Sequence, residues 1–153
     1  MGLSNTKHGI FKPKNLQKYV GTQLPVYRSS WELRAFMALD RNENISKWGS
    51  ENFIVPYVDV TRNNEVHRYI IDLFFEIKDY TQNGLPIKWL LEIKPDSQAT
   101  LKPVKKGRSL NKVAAEAVIV KRNECKWKAA VEFCRAKGWH FGVYTEKGIT
   151  KLC

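Results

Sequence analysis

The stretch at residues 87–95, IKWLLEIKP, constrains this chain more than any other. Side chains of a strand alternate between its faces, so Ile87, Trp89, Leu91 and Ile93 share one face and Lys88, Leu90, Glu92 and Lys94 the other. Residues as apolar as Leu91 and Ile93 predict a strand buried on both sides. Glu92 and Lys94 then lie side by side where a charge is costly unless paired, metal-bound or functional. Pro95 has no amide hydrogen to give and stops the ladder. A carboxylate and an amine at the end of a buried strand make a candidate site.

The charge balance says what such a site would meet. Lys and Arg number 26 against 15 Asp and Glu, a net charge of +11 over 153 residues. That excess favours a polyanionic partner, most often nucleic acid. No run approaches the roughly 18 apolar residues of a membrane span. The opening MGLSNTKHGIFKPK has no apolar leader core, so a cytoplasmic location is expected. Cys125, Cys134 and Cys153 form no CxxC pair and read as free thiols. The length fits one sizeable hydrophobic core, arranged as a basic arm over 1–28 and a single domain over 29–153.

Within 1–28, Pro13, Gly21 and Pro25 predict an irregular segment anchored by Phe11 and Tyr19, with Lys7, Lys12, Lys14, Lys18 and Arg28 either solvated or on phosphates. Residues 29–40, SSWELRAFMALD, predict a helix: Leu33, Phe36 and Met37 recur at helical spacing, and Ser29 or Ser30 can cap it. Glu32 stands three residues after Ser29, a capping-box spacing that by itself assigns it to the cap. Residues 42–52 read as polar loop with Trp48 isolated. Residues 53–60 form a strand, with Pro56 pointing to an edge, and Asn63-Asn64 a turn into one long strand over 66–77. In that strand Asp72 is a carboxylate among apolar neighbours. Asn83-Gly84 signals a hairpin back into the 87–95 stretch. Three consecutive strands thus predict an antiparallel meander that brings Asp72 beside Glu92. Residues 96–112 are a basic loop, 113–137 a helix ended by Gly138, and 139–145 a last strand lying parallel to the Glu92 strand. Trp127 falls on the helix face of Ala130, Val131 and Cys134 and reads as core rather than a base-stacking surface; His67 and His140 read as structural.

Two carboxylates on adjacent strands suit a divalent cation such as Mg²⁺, with Mn²⁺ as a substitute and the Ile93 carbonyl as a further ligand. Lys94, on the same face as Glu92, can orient or help deprotonate an attacking water and offset charge on a phosphodiester. Glu32 can complete the metal's shell or a second metal position. For DNA contact the candidates are Lys102, Lys105, Lys106 and Arg108 of the basic loop and Lys126 on the helix, giving salt-dependent, largely sequence-independent binding.

Asp72 followed by Glu92-Ile93-Lys94 resembles the PD-(D/E)xK nuclease motif, with Ile71 where the motif has proline. The resemblance implies an α/β, restriction-endonuclease-like αβββαβ core, a mixed sheet flanked by helices. Across most of the chain, GIFKPKNLQKYVG, YRSSWELRAFMALD with SKWGSE, VHRYIIDLFF, LLEIKP and NECKWKAAVEFCRAKGWHF resemble the head completion nucleases of tailed myophages. YRSSWE is also similar to the N-terminal nuclease domain of TnsA-type transposition endonucleases. These resemblances imply that Glu32 belongs to the active site, against the local capping reading. They imply a Mg²⁺-dependent DNA endonuclease, with exonuclease cutting left open, acting late in head assembly on double-stranded or branched DNA. The implied setting is the host cytoplasm or the virion, with portal or neck proteins as partners and no membrane. The alternative is a non-enzymatic, basic DNA-binding or head-neck structural protein.

Overall fold

In the computed structural model, which describes residues 8–80, 84–100 and 107–153, the 87–95 stretch is central to the main sheet. In chain order, β1 (Gly9–Ile10) pairs with β2 (Val26–Tyr27), followed by α1 (Ser30–Arg41) and β3 (Ile45–Ser50). Next come β4 (Ile54–Asp59), β5 (Glu65–Ile70), β6 (Leu73–Tyr80) and β7 (Pro86–Ile93). The short α2 (Asp96–Ala99) and the long α3 (Leu110–Lys137) lead to β8 (His140–Thr145) and β9 (Gly148–Lys151). The main sheet has the order β3-β6-β7-β8-β9. Its β7–β8 pair is parallel, as expected of a crossover through α3, and its other pairs are antiparallel.

Both faces of this mixed sheet are covered, which gives the α/β architecture its two cores. Leu90, Phe74, Phe141 and Val143 meet α3 through Trp127, Ala130 and Cys134, and meet the β4–β5 ribbon through Val55, Tyr57 and Tyr69. Leu73 and Leu91 face the other way, onto Phe36 of α1 and onto Trp48. Adjacent residues 90 and 91 are thus both buried, at 0% and 6% exposure, as the 87–95 pattern requires. Trp127 belongs to the core.

Two strand assignments are corrected. The segment 42–52 is not simply a polar loop: it contains β3, the edge strand of the main sheet. Its register with β6 shifts between Ile45 and Lys47, so Ile45 and Trp48, three residues apart, both turn inward and are buried. A bulge of this kind erases the period of two that would reveal the strand. The stretch 66–77 is not one strand but two. β5 pairs with β4 in a separate ribbon, β6 enters the main sheet, and the break falls at Ile71-Asp72. There the Ile71 amide donates to the Phe53 carbonyl, and the Asp72 carbonyl accepts from the Glu51 amide. The expected meander is therefore replaced by β3, β6 and β7, with β4–β5 inserted between the first two. With α1, α3 and β8, these strands still make the αβββαβ order. Pro56 lies in that two-stranded ribbon, where a missing amide hydrogen is tolerated.

The turns follow their chemistry. Asn63 and Asn64 close the ribbon at φ of 54° and 58°, a region asparagine tolerates. Gly138 ends α3 at φ 71°. In the β6–β7 hairpin, Gly84 has φ 72°, while Asn83 lies outside the described residues.

Residues 8–28 lie against α1 and β3. Phe11 and Tyr19 both pack on the Trp48 ring. Asp40, 1% exposed, accepts from the amides of Lys14 and Asn15 and from Trp48 Nε1. Lys18 is held at the C-terminal end of α1, its ammonium donating to the carbonyls of Leu39, Asp40 and Asn42, where a cation complements the helix dipole. Its charge therefore serves the fold, unlike the phosphate contact open to it from sequence. His67 bonds to Glu65, and the His140 ring to the Cys153 carbonyl.

Replacing Asp40 with Ala strands buried amide and indole donors. Asp40→Ala should cost about 2–3 kcal/mol in urea unfolding and should speed hydrogen exchange at the Lys14 and Asn15 amides first.

Candidate functional site

The β6–β7 register pairs Leu73 with Leu91, which sets Asp72, just before β6, across from Glu92. The Ile93 amide donates to Asp72 Oδ2 at 2.8 Å. Glu92 is 4% exposed; its Oε2 accepts from the Tyr69 hydroxyl at 2.7 Å, and Lys94 Nζ stands 3.5 Å from its Oε1. Asp72, Glu92, Ile93 and Lys94 are therefore gathered at one end of two neighbouring strands.

Electrostatics set this pair apart. Burial, then the Glu92 charge, pushes Asp72 well above the usual carboxylate range, against the Ile93 amide and Lys94. Burial likewise raises Glu92, against Lys94 and the Tyr69 hydroxyl. The ionised form of both carboxylates is therefore disfavoured here, and a cation placed beside them would relieve that cost.

Glu32 meets both of its expectations in part. The Ser29 hydroxyl caps α1 by accepting from the Glu32 amide at 3.1 Å. The Glu32 carboxylate does not complete the expected box with Ser29; it accepts from the Arg28 amide at 2.6 Å, one residue further back. It also lines a narrow cleft together with Glu51, Asp72 and Ile93, and its charge acts on Asp72.

Among the DNA-contact candidates, Lys126 is brought to the site. Its half-buried ammonium lies 5.6 Å from the Tyr69 ring centre and 5.9 Å from that of Tyr57, within the fields of Lys94 and Glu92. Burial, then Lys94, lowers it. Arg108, by contrast, forms an ion pair with Glu116 on α3. Lys102, Lys105 and Lys106 lie outside the described residues.

Three residues were not foreseen in the site. Tyr69 reaches Glu92 from the ribbon; a tyrosine facing the core needs a partner for its hydroxyl, and that was the available signal. Glu51 sits at φ 56°, a strained position for a non-glycine residue, and pairs with Arg28. The charges of Glu51, Glu32 and Asp72 all act on Arg28. No local sequence pattern marks these last two as neighbours, because they lie 23 residues apart.

The donor set fits a divalent cation. Among the described residues no three His, Cys, Asp or Glu side chains converge as one ligand group. Two carboxylates do converge, with a main-chain strand end beside them and Glu32 lining the same cleft as Asp72. Oxygen donors of this kind suit Mg²⁺, which keeps several waters of its own.

Two comparisons place the chain among known proteins. Residues 42–146 match the family described as TnsA-like endonuclease N terminal. Over 152 residues the chain is 34% identical to the head completion nuclease of Enterobacteria phage T4, covering 94% of each protein. Glu32 lies upstream of the family match; Asp72, Glu92, Lys94 and Lys126 lie within it.

Because the folded pKa of Asp72 is raised, the native state holds more protons than the unfolded chain just above the ordinary carboxylate range. Stability contributed by this group is full below that range and is lost as pH rises. In EDTA, the stability difference between wild type and Asp72→Asn should therefore widen in the variant's favour from about pH 4 upward. It should reach about 1–3 kcal/mol at neutral pH, measured by urea unfolding.

Proposed function

The chain belongs to the TnsA-like endonuclease N-terminal family, and from that premise we propose that it is a divalent-metal-dependent DNA nuclease acting in phage head completion, before head and tail join. The observation that carries this reading is Asp72 set across from the buried Glu92 at the end of two neighbouring strands, with Lys94 Nζ 3.5 Å from Glu92. Structural ion pairs do not require two carboxylates side by side.

Asp72, Glu92 and the Ile93 carbonyl would hold Mg²⁺, or Mn²⁺ in its place, and Glu32 would complete the shell from α1. When bound, the ion supplies charge neutralisation at the phosphate and an acidified water. The rest falls to the chain. Tyr69 locks the Glu92 rotamer by donating to Oε2, leaving Oε1 toward Lys94. Lys94, as an ammonium, orients the attacking water and offsets charge as the phosphodiester becomes pentacovalent. Lys126 adds a second positive charge beside it. Walls of Phe36, Leu73 and Ile93 strengthen these interactions by limiting water.

Double-stranded or branched DNA is the substrate in this reading, cut endonucleolytically, with portal or neck proteins of the head as partners. The work is done in the host cytoplasm during assembly or in the virion. The second reading, a basic DNA-binding or neck protein without activity, is favoured only by the charge of +11.

Glu92→Gln and Lys94→Ala should each slow Mg²⁺-dependent nicking of supercoiled plasmid by about 10²–10³-fold, with DNA affinity in EDTA changed little. A wild-type chain that shifts DNA in a gel yet never cuts it in Mg²⁺ or Mn²⁺ would favour the second reading. Metal binding at carboxylates whose proton affinity burial raises would displace protons from them. Calorimetric titration with Mn²⁺ in two buffers of different ionisation heat should show proton release, reduced in Asp72→Asn.

A further inference from the structure

Away from the carboxylate pair, Asp59 ends β4 as a fully buried acid, at 0% exposure. It accepts from the amide and hydroxyl of Thr61, from Arg62 Nε at 2.6 Å and from Arg122 Nε at 2.9 Å. Burial works against its ionisation, but the bonds from Thr61 and Arg62 outweigh burial and hold it well below the usual carboxylate range. One buried negative charge thus fixes two guanidiniums, one from the turn after β4 and one from α3.

These guanidiniums are not used up. Arg62 spends Nε on Asp59 and Nη2 on the Tyr57 hydroxyl; Arg122 spends Nε on Asp59 and Nη2 on the Thr61 hydroxyl. Their side chains keep 39% and 32% exposure, so the remaining N–H groups of each fork are open to an anion. Arg122 and Lys126 are one helical turn apart on α3, and Lys126 feels Arg122 and Arg62 on one side and Lys94 and Glu92 on the other. Four cations therefore run from the ribbon to the end of β7, with Asp59 and Glu92 as the acids between them. Such a surplus, rigidly held, is matched by a chain of negative charges.

We propose that Arg62 and Arg122, fixed by Asp59, form with Lys126 a binding row for the phosphodiester backbone of DNA leading away from the Glu92–Lys94 end of the sheet. The inference rests on the nuclease reading above and adds the residues that hold the strand beside the cut. Planar guanidiniums with a pre-set orientation suit phosphate better than free lysines, because little side-chain freedom is lost on contact.

The test uses the full chain carrying Asp72→Asn, which stops cutting, and a fluorescein-labelled duplex in EDTA, read by anisotropy across a salt series. Adding Arg122→Gln or Arg62→Gln should weaken binding several-fold and lower the salt slope by about 1 each. Gln keeps an amide donor for Asp59 and removes the charge; thermal melting reports whether each variant is folded. If Arg122→Gln does not fold, Arg122→Lys is compared, and it should retain the salt slope while losing affinity. In the cutting-competent chain, the loss should fall on KM more than on kcat.

Unchanged affinity, salt slope and KM in folded variants would overturn the row while leaving the nuclease reading intact. A wild type that never cuts, with affinity still lost on Arg122→Gln, would uphold the row and sink the nuclease reading. A poly-glutamate peptide that binds as tightly as the duplex and depends equally on Arg122 would make this an acidic-peptide site and overturn the proposal.

Discussion

Two carboxylates held beside one another in a dry strand end are the interaction on which the rest of this structure turns. Burial raises the proton affinity of both Asp72 and Glu92, and the Glu92 charge raises that of Asp72 further. The fold offsets the cost locally, with one main-chain amide, one tyrosine hydroxyl and one ammonium. None of these is a full counter-charge except Lys94, and it stands off at 3.5 Å. What remains is two carboxylates facing one close ammonium, on a protein that elsewhere carries a surplus of cations.

The scaffold explains how such a pair persists. β7 runs through the middle of a sheet covered on both faces, so its register cannot slip without moving Leu90 and Leu91 out of their separate cores. β6 is pinned between β3 and β7. The chain reaches β6 from the ribbon, and the change of direction at Ile71-Asp72 places Tyr69 and Asp72 against the same partner strand. The ribbon is thus more than decoration: it covers one core with Val55 and Tyr57 and supplies the hydroxyl that fixes Glu92.

Much of this was legible in the sequence where one period ruled. The 87–95 stretch, α1 with its Ser29 cap, α3 with Gly138 and the parallel last strand all follow from spacing and end signals. So did the meeting of Asp72 with Glu92, although by the wrong meander. The pairing survived because alternation stays in phase across the Ile71-Asp72 break, which is also why the break itself was invisible. β3 was hidden for the opposite reason: its bulge puts Ile45 and Trp48 three apart, and no single period reports a strand. Long-range partners such as Glu51 with Arg28, or Asp59 with Arg122, leave no trace in local pattern. The same holds for the terminal arm, where Asp40 gathers its donors from residues about 25 positions away.

The buried acids of the molecule can be sorted by what satisfies them. Asp40 has two amides and an indole, and Asp59 has a threonine and two guanidiniums. Each is surrounded by donors and joins elements that would otherwise separate, and for Asp59 those donors favour the ionised form. Asp72 and Glu92 have fewer donors, and burial raises both, so for them the ionised form is the expensive one. A fold selected for stability alone would remove one of the two, since an amide at Asp72 still accepts from Ile93 without repelling Glu92. The chain keeps both acids on adjoining strands of its main sheet, next to a lysine and beside a cleft lined by Glu32, a distinction that stability alone does not account for. The distinction comes from the balance of donors against charges, and it separates Asp72 from Asp40 even though both are carboxylates taken largely out of water.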